Sequence, residues 1–212
     1  MSEPAVRTLG AVLYPQFELL DLYGPLEMFG ALEKEIRILT VAESKGPVAS
    51  TPGVETVARH DFADCPRLDL VLLPGGIGTL AQLGSPALLE FLRKRSAEAE
   101  VTMSVCSGSA LLAKAGLLDG RRATSNKLFF QVARSQSERV KWVTAARWVE
   151  DGPFATSSGV SAGTDMALAV IAKLYGRERA EAIAIQTEYT WHRDADRDPF
   201  AQYLDQGMKR TA

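Results

Sequence analysis

Short unbroken apolar runs alternate along this chain with longer stretches in which apolar residues recur every three to four positions. Residues 8–14 form the first run and predict a strand. Residues 19–32 follow with a helical pattern, interrupted at Gly24-Pro25. A strand is expected again at 36–41, after which Gly46-Pro47 and Pro52-Gly53 punctuate a stretch that reads as short hairpin strands. The run at 68–73 is continuous, the mark of a strand buried on both faces, and ends at Pro74-Gly75-Gly76. Ser85 then stands as N-cap and Pro86 as first residue of a helix to about residue 97. Residues 101–105 predict a strand, and 107–115 a helix stopped at Gly116. Past residue 120 the pattern loosens into a polar segment at Thr124-Ser125-Asn126, short strands at 140–143 and 146–149, and a turn at Glu150-Asp151-Gly152-Pro153. Helices are expected at 161–175 and 177–189, with Gly176 between them. The charged tail at 191–199 is expected on the surface, against a partner subunit.

Strands and helices that take turns in this way are the pattern of βαβ units, which predicts an α/β fold with a mainly parallel sheet and helices on both faces. A length of 212 residues without repeat, linker or low-complexity tract suits a single domain over 1–212. With 24 Lys plus Arg against 26 Asp plus Glu, the formal charge is −2. The positive excess that phosphate or an anionic membrane requires is missing, so a neutral small molecule is the expected partner rather than nucleic acid or a membrane. No stretch approaches the roughly 18 apolar residues of a spanning helix, and residues 1–7 lack the basic-then-apolar pattern of a leader. Two cysteines, Cys65 and Cys106, are too few for a disulfide framework and suit a reducing cytoplasm. Together with two histidines they cannot build a Cys-rich zinc site.

The sharpest local signal is Ser104-Val105-Cys106-Ser107-Gly108. A buried strand ends at a cysteine and a helix starts at once, with small residues two positions to either side. This is the pattern of a nucleophile elbow, a turn so tight that its neighbours must be small. It puts the side chain at the carboxyl end of the sheet, where open α/β sheets bind ligands. The helix N-terminus is expected to lower the cysteine pKa, and backbone N–H groups there can face a developing negative charge. Cys65, in Asp64-Cys65-Pro66, lacks this context and reads as structural.

A second turn, Leu73-Pro74-Gly75-Gly76-Ile77-Gly78, also follows a buried strand; its glycines let the backbone approach a ligand, or simply make a tight strand-to-helix turn. It lacks the third glycine of a dinucleotide motif. For a proton carrier beside Cys106, the histidines are poorly placed, His60 in an expected hairpin and His192 in the charged tail. Asp21 is an acid inside an apolar run just after the first strand, and it reads either as a helix cap or as an acid of raised pKa at the site.

These segments, taken in order with Phe17-Glu18-Leu19-Leu20-Asp21-Leu22-Tyr23-Gly24-Pro25, residues 115–124 and Ser161-Ala162-Gly163-Thr164-Asp165, resemble the ThiJ/PfpI superfamily over nearly the whole chain. The nearest branch is that of the isocyanide hydratases and the amidotransferase-like domains of AraC-type regulators. Those regulators continue into a helix-turn-helix domain, which this sequence of 212 residues is not expected to carry. The resemblance implies a flavodoxin-like three-layer sandwich, a homodimer, and cofactor-free and metal-free chemistry. By position it implies Cys106 as nucleophile, Asp21 as acid/base, and the N–H groups of Gly76 and Ser107 as the pair that stabilises an anion. The implied activity is hydration of an isocyanide to an N-substituted formamide. A glyoxalase or deglycase acting on α-oxoaldehydes and a redox sensor working through Cys106 are the alternatives. Two departures stand out. Ser107 replaces a threonine, and relatives read Ala-Thr-Thr-His-Trp where this chain has Ala123-Thr124-Ser125-Asn126-Lys127. A Cys–His hydrolase is thereby disfavoured.

Overall fold

A computed structural model describes residues 6–207. The expectation that no leader is present rests on residues 1–7 and falls largely outside the described residues. The elements, in chain order, are β1 (Arg7–Val12), α1 (Leu19–Gly30), β2 (Ile36–Ala42), β3 (Gly46–Ala49), β4 (Glu55–Ala58), β5 (His60–Asp61), β6 (Leu70–Leu73), α2 (Thr79–Gln82) and α3 (Pro86–Glu98). They continue as β7 (Val101–Ser104), α4 (Gly108–Lys114), β8 (Arg122–Ala123), α5 (Phe130–Arg134), β9 (Lys141–Trp142), β10 (Trp148–Asp151), β11 (Phe154–Ser157), α6 (Ala162–Tyr175) and α7 (Arg177–Gln186).

Seven strands form one sheet in the order β10-β11-β7-β6-β1-β2-β5, and all neighbours are parallel except β10 and β11. Every residue of β6, β7 and β11 is buried, as a sheet covered on both faces requires. Helices α1, α6 and α7 pack together as one covering layer, while α2, α3 and α5 gather around α4 in the other. The helical starts follow local chemistry. Ser85 Oγ accepts the Leu88 N–H at 3.2 Å, with Pro86 in the first turn, as the sequence predicts for α3.

Three expectations are revised. The strand at 140–143 shrinks to β9, which pairs with β8 in a small separate sheet. Strand β11 carried no periodicity of its own, since Phe-Ala-Thr-Ser has little β-branched character, yet it sits beside β7 in the main sheet. His60 lies on β5, an edge strand of the main sheet, instead of in the hairpin, which is β3 and β4 alone. The tail also differs from a purely solvated segment. Trp191 Nε1 donates to the Asp165 carbonyl at 3.2 Å, and Asp198, fully buried at its side chain, lies 3.7 Å from both Arg147 and Lys127. The tail therefore docks on its own chain.

Candidate active site

The elbow is as tight as the sequence implies. Cys106 has φ of 58°, a left-handed conformation that costs a non-glycine residue on the order of 1 to 3 kcal/mol. Four hydrogen bonds hold it there. Its N–H points at the carbonyls of Ser157 and Ser158, both at 3.2 Å, and its carbonyl accepts from Ser109 Oγ at 3.2 Å and Ser125 Oγ at 3.1 Å. β11 thus supplies the clamp that keeps β7 and α4 joined at so sharp an angle. Gly108 is required by close approach, because a Cβ there would stand 2.7 Å from the Leu73 carbonyl.

Asp21, the third residue of α1, reaches the same point from β1 and is wholly buried. It caps the turn after β6 instead of its own helix: Oδ2 accepts the Gly75 N–H at 2.9 Å. Gly75 lies where three groups converge, since an added Cβ would meet Ser107 N at 2.6 Å, Ser107 Oγ at 2.7 Å and Asp21 Oδ2 at 2.9 Å. Asp21 Oδ1 has no partner of strict hydrogen-bond geometry, while the Cys106 thiol lies close enough to interact with the carboxyl as a loose hydrogen-bond partner. Burial pushes the Asp21 carboxyl up to about 8, aided by the charge of Glu18 and opposed by the Gly75 N–H and the thiol. Near pH 7 it is mostly protonated.

The thiol behaves differently from the sequence expectation. Burial, and next the Asp21 carboxylate, push Cys106 well above its ordinary value, whereas a lowered value was expected from the helix N-terminus. Helix α4 has only seven residues and its field is outweighed by desolvation. Three donors work the other way: the Ser107 N–H, the Asn126 side chain and the Ser107 hydroxyl. Because thiol and carboxyl interact at close range, protons leave them as a pair. The neutral acid withdraws the charge that most opposes a thiolate after burial itself.

Of the two N–H groups carried over by resemblance, Ser107 N–H faces the sulfur. Gly76 N–H is donated to Ser107 Oγ at 3.1 Å, so it orients that hydroxyl in this state. Behind it runs a chain that the sequence did not announce. Ser107 Oγ lies 2.9 Å from Thr79 Oγ1, which lies 3.0 Å from Tyr14 OH, and Tyr14 donates to the Pro74 carbonyl at 2.7 Å. With Tyr14 OH committed as donor to Pro74, Thr79 donates to Tyr14, and Thr79 Oγ1 is left to accept from Ser107, whose single hydroxyl proton serves the sulfur only when it turns away from Thr79. Asn126, noted in the sequence only for what it replaces, is a second addition. Its Oδ1 accepts the Phe129 N–H at 3.1 Å, which turns the amide NH2 toward Cys106. Gly159 leaves the room for it, since a Cβ there would stand 2.1 Å from Nδ2.

Neither histidine takes part. β5 is four strands from β7, about 19 Å at normal strand spacing, and His192 is tied to the tail through Arg197 and to Asp165 through its N–H. Cys65 is buried next to Arg95, which donates to its carbonyl. Among the described residues no group of three or more His, Cys, Asp or Glu converges to hold a metal ion. A cleft of about 320 Å³ opens beside the elbow, and Asn126 and Ser158, both in contact with Cys106, lie in its wall.

The DJ-1/PfpI family model matches residues 10–173 of this sequence, which span every site residue named above. The chain belongs to the DJ-1/PfpI family. It is 35% identical over 182 residues to an isonitrile hydratase of Pseudomonas putida, covering 85% of this chain and 78% of that protein. It is 31% identical over 179 residues to the HTH-type transcriptional regulator CdhR of Pseudomonas aeruginosa, covering 82% of this chain but only 53% of the regulator. Among solved structures, a ThiJ/PfpI family protein from Pseudomonas syringae superposes with a TM-score of 0.79 at 36% identity over 92% of this chain and 78% of that one. Drosophila melanogaster DJ-1beta, at 21% identity, shares the fold with a TM-score of 0.78 over 88% of this chain and all of that one. The DJ-1/PfpI fold agrees with the flavodoxin-like sandwich expected from the sequence. Among the described residues, no helix of this family member is long and apolar enough to cross a membrane.

Proposed function

We propose that this DJ-1/PfpI protein is a cysteine-dependent hydratase that converts an isocyanide to an N-substituted formamide, without a cofactor and in the cytoplasm. The observation that carries the reading is the pairing of the Cys106 sulfur with a fully buried carboxyl, Asp21, that keeps its proton near pH 7. The chemistry needs both. Isocyanide carbon accepts a nucleophile and a proton, so sulfur attacks the terminal carbon of R–N≡C while Asp21 delivers its proton to that carbon and takes up the proton that the thiol gives up. The product is the thioimidate R–N=CH–S–Cys106. Water then adds to this carbon and gives one proton to nitrogen, the C–S bond breaks, and water's other proton returns to sulfur as R–NH–CHO leaves.

Ser107 N–H and Asn126 Nδ2 act on the sulfur, as donors that favour thiolate as it forms and later accept it as the leaving group. Gly76 presents its N–H through the Ser107 hydroxyl. The 35% identical isonitrile hydratase supports this choice of substrate class. A redox sensor is a weaker reading, since such cysteines are exposed and acidic, and Cys106 is buried with its thiol pushed up. The test is formation of N-cyclohexylformamide from cyclohexyl isocyanide by purified protein, followed by chromatography. Turnover that vanishes in Cys106→Ala with an unchanged circular-dichroism spectrum supports the reading. Lack of turnover across alkyl and aryl isocyanides, or lactate release from methylglyoxal instead, overturns it.

A further inference from the structure

The cleft beside Cys106 has a wall that the chemistry above does not use. Leu20, adjacent to Asp21, and Leu128 and Val160 meet Phe200 and Tyr203 there. These are large apolar side chains held partly in solvent: Leu20 is 47% exposed, Leu128 44%, Phe200 51% and Tyr203 42%. Such a patch next to a reactive group marks a binding surface. Its cation is occupied elsewhere, since the Lys127 ammonium is donated to the Ala146 carbonyl at 2.6 Å and to Thr124 Oγ1 at 2.8 Å. What remains facing the cleft is uncharged and mostly apolar, with Asn126, Ser158 and Ser161 as its polar groups. At about 320 Å³ the space is at the small end of small-molecule sites.

Phe200 and Tyr203 belong to a strap, residues 198–207, that is fastened at both ends. At one end Asp198 N–H donates to the Ala145 carbonyl at 2.7 Å, with its carboxylate beside Arg147 and Lys127. At the other, Asp205 N–H donates to the Lys127 carbonyl at 2.8 Å and Gly207 N–H to the Leu128 carbonyl at 3.0 Å. The two carbonyls adjoin Asn126 in sequence, so the strap is built onto the same segment that touches the sulfur. A wall held this firmly keeps Phe200 and Tyr203 in place against whatever enters.

We infer that this cleft receives the organic substituent of the substrate, a neutral ring-sized alkyl or aryl group, and that Phe200 and Tyr203 supply the apolar contact that holds it. The inference deepens the hydratase reading and rests on it for the reacting group. Its test therefore has an arm free of isocyanides. In the first arm, kcat/KM is compared for cyclohexyl and methyl isocyanide in wild type and in Phe200→Ala/Tyr203→Ala. The cyclohexyl-to-methyl ratio is expected to fall about tenfold, the scale of lost apolar contact in a pocket. In the second, Cys106 is alkylated by N-cyclohexyl-iodoacetamide or by iodoacetamide and followed by intact mass, and the same fall in ratio is expected. Val160→Phe, which narrows the cleft at another lining position, is expected to slow the cyclohexyl reagent selectively.

If no isocyanide turns over while the alkylation ratio falls, the hydration reading fails and the cleft assignment stands. Unchanged alkylation ratios in both variants overturn the assignment. So does sedimentation showing that Phe200→Ala/Tyr203→Ala converts a dimer to monomer without altering the ratios, because the patch is then a subunit contact.

Discussion

Asp21→Asn separates a neutral acid from an ionised one by a measurement of stability. An ordinary aspartate loses its proton near 3.8, and burial moves the folded value to about 8. Because the folded value is the higher one, the stabilising contribution of Asp21 is fully present below 3.8. It is lost progressively as pH rises toward 8, where the unfolded chain has given up its proton and the folded chain still holds it. At about 1.4 kcal/mol per pK unit, the loss between pH 5 and pH 8 comes to roughly 3 to 4 kcal/mol. Asparagine has the same shape, still accepts from Gly75 N–H, and does not titrate.

Urea unfolding of wild type and Asp21→Asn at pH 5 and at pH 8 reads this directly. The stability of the variant relative to wild type is expected to improve by that amount between the two pH values. Its initial offset at pH 5 reflects only the exchanged hydrogen bonds. A constant difference at both pH values would mean that the folded protein holds a carboxylate, and the proton donor would have to be sought elsewhere. The same substitution removes the transferable proton, and kcat for isocyanide hydration is expected to fall by roughly 10² to 10⁴, the usual contribution of a placed acid.

Three further outcomes follow from the same geometry. Tyr14→Phe leaves the buried Pro74 carbonyl without its donor and the Thr79 hydroxyl with Ser107 alone; a loss of about 1 to 3 kcal/mol in urea unfolding is expected, with lower kcat as the Ser107 hydroxyl loses its orientation. Gly159→Ala displaces the Asn126 amide from the sulfur, so the pH at which Cys106 reacts with iodoacetamide at half its maximal rate should rise. Asp198→Ala strips the buried Arg147 and Lys127 of a counter-ion; about 3 to 5 kcal/mol of stability should be lost, with faster proteolysis within residues 190–207.

The order of strands and helices was legible where a central strand such as β1 or β6 is a mostly apolar run and where a long helix keeps its period; β1, β6, β7, α3 and α6 fall where the pattern puts them. Cys106 and Asp21 were legible for a local reason, since small neighbours mark an elbow and an acid in an apolar run marks burial. The rest of the site depends on partners distant in sequence. Thr79 reaches Ser107 across 28 positions and Thr124 N–H reaches Thr156 Oγ1 across 32, and no local spacing encodes either. The sign of the thiol shift was misjudged because a helix terminus can be read from sequence, whereas the depth of burial that outweighs it is a property of the assembled layers.

Burial by itself does not decide what a carboxyl does in this chain, as a comparison of Asp21 with Asp165 demonstrates. Both are fully buried near the N-terminus of a helix. Asp165 faces the Arg147 guanidinium at 2.6 Å and accepts from Tyr189 OH at 3.1 Å and His192 N–H at 2.9 Å, a complete set of partners for an anion that binds the tail. Asp21 receives one backbone N–H, and its charged neighbour, Glu18, has the wrong sign. A carboxyl so placed keeps its proton because ionising it would strand a charge in an apolar layer. In the proposed reaction the cost of that burial and the capacity to hand a proton to a substrate on Cys106 are one property, so a cation introduced beside Asp21 should stabilise the fold at pH 8 and suppress turnover together.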